Sequence, residues 1–506
     1  MKFFFLLICV FLLSCSQEEM TRGGTQSPVE KHSPYYVSQE EALEKLRYFL
    51  NHEDSLATPN AQQRVIRDIY TVRSVKTNVK SSSQESIDLV HVVNFEQEKG
   101  FAILSADSRI SGDILVVTEQ GSITEREILY AIENDNRVLY EEYPLNGPGL
   151  IYSQDSMFVD MNPNTFNLYN QELNDYLVGD FDDSGLSPIG LVVEGGSQLI
   201  GYWAVQYVSN QINEHMDEPI FDGSADSGLP KLSTETTEEV TYRERVSPLL
   251  YFARYWSQND PFNREFPLVR EFLVGRQKRA SAGCVPLAIS KMMAFHRKPS
   301  NISYNGGPNV NWDALIAADT LWKYPSLLNV TLCESASSLL KAVADSCGSI
   351  CFYSGTFTFP KCARQYMARH YSAVKFDNYN TTSVTAALNR GIPIFVCSLP
   401  EGGPFYQLEH SHAWNIDGYK TKTTKRTIKY FLDGVYDRTE EEYETDVMVH
   451  CDFGWSGHCN GYYISGMFNL SVEDNSDIEL DNPADTTGKD RNYIWRIKTI
   501  THNGPI

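Results

Sequence analysis

The spacing of apolar residues changes several times along this chain. Met1 and Lys2 precede an unbroken apolar run over residues 3–13, which is shorter than the roughly 20 residues a bilayer-spanning helix needs and reads as a secretory signal segment. From Ser38 on, Ala42, Leu43, Leu46, Phe49 and Leu50 recur at helical spacing, and Ser38 with Glu41 fits a capping box. The period then shortens. Residues 87–93 and 101–104 predict two strands of a hairpin turning through 96–100, and 114–117 predicts a third strand. Helical spacing returns over 123–140 through Ile128, Leu129 and Ile132, followed by a strand near Leu191 and a helix over 200–208. In the second half one helix begins at Cys284, and 412–419, 428–431, 447–451 and 462–465 read as strands of one antiparallel sheet. A helical part followed by a strand-rich part predicts an α+β fold.

Length adds domain number: 506 residues imply about two to four domains. Charge adds a boundary. The net charge is −22, yet residues 1–240 carry 38 acidic against 15 basic side chains and 241–506 carry 27 against 28. Two modules meeting near residue 240 follow from that asymmetry, with Ser233-Thr-Glu-Thr-Thr-Glu-Glu-Val240 read as a solvated linker. So acidic a chain is a poor partner for nucleic acid, whose binding depends on Lys and Arg neutralising phosphates.

The signal run ends in Leu12-Leu13-Ser14-Cys15, which resembles the bacterial lipobox, so Cys15 is the expected lipidation site and acyl chains would tether the chain to a membrane. The acids at Glu18 and Glu19 resemble surface-export signals of some Gram-negative lipoproteins. Residues 1–14 are thus read as signal peptide and 15–38, rich in Gly, Ser, Pro and polar side chains, as a flexible lipidated tether.

Gly283-Cys284-Val285-Pro286 opens the apolar helix of the second half. A thiol at a helix amino terminus meets the partial positive charge of exposed amides, which favours thiolate, and a free main-chain amide there can bond an oxyanion. Such a nucleophile needs an imidazole partner. His412, 128 residues further on, opens an alternating strand, with His410 as its rival in the preceding loop.

Further segments make the pattern specific. Trp256-Ser-Gln258-Asn-Asp-Pro-Phe-Asn263, Gly283-Cys284, His412-Ala-Trp-Asn-Ile-Asp-Gly418 and Gly454-Trp455-Ser-Gly457 occur in this order. In order and approximate spacing they resemble the streptopain family of papain-like cysteine peptidases. Val310-Asn-Trp312 and Ala386-Ala-Leu-Asn-Arg-Gly-Ile-Pro393 extend the likeness, and Val92-Val-Asn-Phe95 with residues 100–107 resembles that family's propeptide. The resemblance implies a papain-like two-part catalytic domain, a helical part plus an antiparallel sheet, over 241–506. It implies an α+β inhibitory prodomain over 39–240 and an inactive precursor that hydrolyses protein or peptide substrates once released. Cys284 then matches the nucleophile and His412 the general acid/base. Gln258 matches the glutamine whose side-chain amide forms the oxyanion hole with the Cys284 amide. Phe453, Gly454 and Trp455 would line the site, and no cofactor is implied.

Two departures stand out. Asp452 occupies the place of the family's imidazole-orienting Asn, and Phe453 that of a Trp. Asp can accept the His412 ring proton, as in Ser-His-Asp sites. The alternatives are a catalytically impaired surface binding lipoprotein, which those departures favour, and a cell-wall thiol amidase. Among the ten cysteines, the pairs Cys347/Cys351 and Cys451/Cys459 suggest local disulfides. His450 and His458 beside the second pair make zinc the weaker competing reading. The expected location is exported and membrane-anchored, at the outer membrane or cell surface, with release after processing as a further expectation.

Overall fold

The computed structural model describes residues 35–56, 64–73, 87–110, 112–125, 128, 196–214, 232–270, 277–351, 355–399, 412–468 and 496–506. The signal run, Cys15, most of the tether, His410, the strand near Leu191 and most of 123–140 lie outside these residues.

Helix α1 (Gln39–Leu56) starts at the expected cap, with the Glu41 amide donating to Ser38 Oγ at 3.2 Å. Its stripe of Leu46, Phe49 and Leu50 is buried against Val93, Phe95, Tyr242, Met448 and Tyr462. Each such side chain contributes about 1.5–3 kcal/mol, whereas the exposed Lys45–Glu41 pair of the same helix is worth less than about 1 kcal/mol. Burial therefore holds α1 in place.

Strands β1 (Ile66–Arg73), β2 (Asp88–Phe95), β3 (Phe101–Ser105) and β4 (Ile114–Thr118) form an antiparallel meander. The β2/β3 hairpin and β4 were predicted. The strand β1, with its alternation broken by Arg67 and Asp68, was not. Helix α2 (Gly196–Glu214) covers the predicted 200–208 segment.

After β5 (Leu232–Val246) come two small strands, β6 (Leu268–Arg270) and β7 (Gln277–Arg279), then helices α3 (Cys284–His296), α4 (Trp312–Ala317) and α5 (Val330–Ser346). The short pair β8 (Ile350–Cys351) and β9 (Thr356–Phe357) precedes α6 (Pro360–His370), β10 (Lys375–Asn378) and α7 (Thr381–Leu388). The remaining strands are β11 (Ile394–Leu399), β12 (His412–Leu432), β13 (Val435–Asp452), β14 (Gly461–Ile464) and β15 (Arg496–Thr501). The separately predicted strands at 412–419 and 428–431 are the two ends of β12.

Among the described residues the main sheet has 11 strands, in the order β1-β2-β3-β4-β14-β13-β12-β11-β15-β10, with β5 added to β12. All its pairs are antiparallel. Because β4 pairs with β14, strands of the acidic half continue the sheet of the neutral half. Helices and an antiparallel sheet give the predicted α+β class.

The segment expected to be a linker is instead strand. Ser233 to Val246 pair with β12 from Phe431 back to Tyr419, so a boundary at residue 240 cuts through β5. The reason is charge and β-propensity. Thr and Val suit an extended chain, and Glu238 meets Arg426 at 2.8 Å while Glu444, on the opposite neighbour β13, meets the same guanidinium at 3.1 Å. A cationic strand lies between two acidic ones, so β5 needs no apolar face to be held.

Candidate active site

The first residue of α3 is Cys284, and Gly283 before it adopts φ 89° and ψ 145°. That positive φ favours glycine, and a Cβ there would press on Thr356 at 3.2 Å. Pro286 sits in the first turn, where no intrahelical amide bond is lost. Every residue from Cys284 to Ala294 is buried, so α3 is a central helix packed on all sides. Burial pushes the Cys284 thiol up to about 12, against main-chain amides at Ala413, Val285 and Cys284 itself, which pull it down.

His412 opens β12 opposite Ser398 of β11 and is fully buried. Its Nε2 lies 2.9 Å from the Phe453 carbonyl oxygen, and Nδ1 has no hydrogen-bond partner among the described residues. A carbonyl only accepts, so Nε2 carries the proton and Nδ1 holds the lone pair of a base. The ring stacks on Trp455 with centroids 4.6 Å apart, while Phe453 lies parallel to Trp455 at 5.0 Å. Burial lowers the imidazole to about 4, and Lys291 adds to this against the Phe453 carbonyl. Thiol and imidazole are both neutral in this state.

Asp452 does not take the role the resemblance gave it. Its Oδ1 receives Lys291 Nζ at 2.7 Å and the Gly454 amide at 3.1 Å, and the ring proton of His412 goes to the neighbouring carbonyl of Phe453. A main-chain acceptor leaves no mark in a sequence. Lys291 does leave one: it is the single charge in the apolar run from Leu287 to Phe295.

Gln258 is brought to the start of α3 by its own backbone. Its carbonyl accepts from the Ala282 amide at 2.7 Å, and Asn263 Nδ2 donates to the Ala280 carbonyl at 3.0 Å. Trp256 anchors this loop in the helical core beside Phe262 and Trp322. The Gln258 side chain is 4% exposed, and neither amide atom has a partner among the described residues. Gly454 at φ 75° packs on Leu287, whose Cδ2 would stand 2.6 Å from an added Cβ. The Gly454-Trp455 turn is therefore fitted to α3, the helix that Cys284 opens. The crevice lined by Cys284, Lys291, Ala413, Asp452 and Gly454 has no room for a water molecule.

The first half also reaches this wall. Trp203 of α2 lies 5.5 Å from Trp414 and 6.3 Å from Phe453. The cysteine pairs are corrected too: no disulfide joins Cys347 to Cys351 or Cys451 to Cys459. Cys451 and Cys459 pack in the apolar core, and His450 Nδ1 is engaged by Asp417 at 2.6 Å instead of by sulfur.

A comparison with curated proteins found no match. Residues 256–463, a span that holds Gln258, Cys284, His412 and Asp452, match the model of the Peptidase C10 family, the streptopain family of cysteine peptidases.

Proposed function

We propose that the chain is the exported, lipid-anchored precursor of a cysteine endopeptidase, with Cys284 as nucleophile and His412 as acid/base. The Gln258 amide carries this reading. A buried amide left without partners costs about 1–3 kcal/mol, and here it is strapped beside the nucleophile, where an oxyanion donor is needed.

The chemistry follows from the two rings and the amide. Once the site opens to substrate and water, His412 Nδ1 takes the Cys284 proton, and the thiolate attacks the peptide carbonyl carbon. Gln258 Nε2 and the Cys284 amide donate to the resulting oxyanion; the side-chain amide does so without a charge that would draw the thiolate away from the imidazolium. Collapse breaks the C–N bond, and the leaving amine takes the proton from His412. Water, deprotonated by His412, then hydrolyses the thioester.

Latency belongs to the same reading. The first half packs behind His412 through Trp203, pairs β4 with β14, and sets Glu119 3.5 Å from His450. This favours an inhibitory prodomain that acts by bracing the wall of the site. The tether through Cys15 places the precursor at the outer membrane or cell surface.

Incubation with an epoxide directed at papain-like thiols, followed by mass analysis, should label Cys284, and Cys284→Ala should hydrolyse no casein. Substantial turnover by the alanine variant would overturn the mechanism. The capture of Asp452 by Lys291 favours the impaired binding protein as the second reading, which predicts no turnover in the processed wild type.

A further inference from the structure

Lys291 is out of place in its helix. It is fully buried, seven residues and about two turns along α3 from Cys284, and its ammonium is paired with a carboxylate that is 2% exposed on β13. The pair joins the helix of the nucleophile to the strand end that precedes the His412 anchor. A buried ion pair is seldom the most stable filling for such a space, but removing either partner leaves an uncompensated charge. Its presence beside the two reacting groups calls for a role in their chemistry.

Resting on the peptidase reading, we propose that Lys291 is a positioning residue of the catalytic pair. By holding Asp452 it fixes the turn whose Phe453 carbonyl orients His412, and it offsets the carboxylate's charge. A lone carboxylate here would stabilise the imidazolium, whereas a lone ammonium would oppose it. In the pair each charge tempers the other, and the ammonium's share adds to burial in keeping His412 neutral, against the Phe453 carbonyl.

The charged and titratable groups around His412 among the described residues are few. Lys291 of α3 acts on His412 directly, Asp452 of β13 acts through Lys291, and Cys284 of α3 neighbours Cys397 of β11, which Lys498 of β15 also faces. Asp417, further along β12, acts on Asp452 but is engaged by His450 at 2.6 Å and by the Leu250 amide at 2.8 Å.

The test is a cycle of Lys291→Gln, Asp452→Asn and the double variant in the full chain, processed as the wild type is. Each single change should lower kcat/KM on a peptide substrate at least tenfold, and the double should recover at least tenfold over the worse single. The upper limb of the pH profile, which reports loss of the imidazolium, should move up in Lys291→Gln, down in Asp452→Asn, and back in the double. A double variant no better than the worse single, or an upper limb in the same place in all four proteins, overturns the proposal. A single variant that does not fold while the double does supports the coupling. If the processed wild type cleaves no peptide, the peptidase reading fails by itself. The pair is then judged by urea unfolding, where a double more stable than either single supports the coupling and additive losses overturn it.

Discussion

Trp203 of the acidic half rests 5.5 Å from Trp414, two residues beyond His412 on β12. The indole is 1% exposed and also meets Phe468 edge-on at 6.0 Å. The proposed prodomain thereby reaches the wall of the site through the sheet. Trp203→Ala should remove about 3–5 kcal/mol of packing, so the full-length precursor should melt earlier and become active faster than the wild type. The isolated first half should inhibit the mature enzyme in trans, and the alanine form of that fragment should inhibit much less. Equal inhibition by both fragments would place the brace elsewhere.

Gln258 gives a prediction in which stability and catalysis part. Its amide atoms have no partners among the described residues, so Gln258→Ala relieves a desolvated polar group and should leave the unfolding midpoint near the wild-type value. Turnover should nevertheless fall about a hundredfold to a thousandfold, as for other single oxyanion donors. A loss confined to KM would make Gln258 a substrate-binding residue.

Cys284, His412 and Gln258 stand out in the sequence as candidates because the proposed chemistry restricts the side chain: a thiol at a helix start, an imidazole at a strand start, an amide in an aromatic loop. The orientation of His412 does not, because its acceptor is the carbonyl of Phe453 and any residue has one. Asp452 was misread for a related reason. Its partner Lys291 lies 161 residues away, and only the fold brings the two together. At the level of the fold, α1, α2 and the β2/β3 hairpin show through their apolar periods. The strand β5 does not, since its partners are charges and its pairing ladder is formed by backbone.

Acid should loosen the closed site. Burial holds His412 at about 4, against an ordinary value near 6.5. Between those values an opened or unfolded chain binds a proton that the closed one refuses. Stability from this residue is therefore present above about pH 6.5 and lost as pH falls to 4, a change on the order of 3 kcal/mol. His450 has the opposite sign. Burial would lower it, but Asp417 and Glu119 hold it up at about 10, so its contribution is full below pH 6.5 and is lost only on the alkaline side. The urea midpoint of the full-length chain should thus fall between pH 6.5 and 4, and His412→Gln should flatten that limb. An unchanged slope in the variant would assign acid sensitivity to other groups.

The bond cut on maturation should precede Leu232. The acidic stretch after it looks in sequence like an exposed cleavage site, and a cut between about Lys231 and Arg245 would follow from that. Yet residues 232–246 are paired along β12, the strand that begins with His412. A protease would have to strip β5 from this ladder, against a full row of backbone bonds and the Arg426–Glu238 contact, before it could reach a bond inside it. An enzyme that lost β5 would also expose the edge of β12 to pairing with other chains. Amino-terminal sequencing of the active form should therefore give a start at or before Leu232, and a protein begun at residue 241 should aggregate or unfold at a lower temperature than one begun at 232. Arg426→Glu, which sets three acids against one another across the ribbon, should make β5 easier to release and move cleavage into it. A mature terminus after Val246 in the wild type, with full activity, would show that β5 is dispensable and that the first half ends where its charge does.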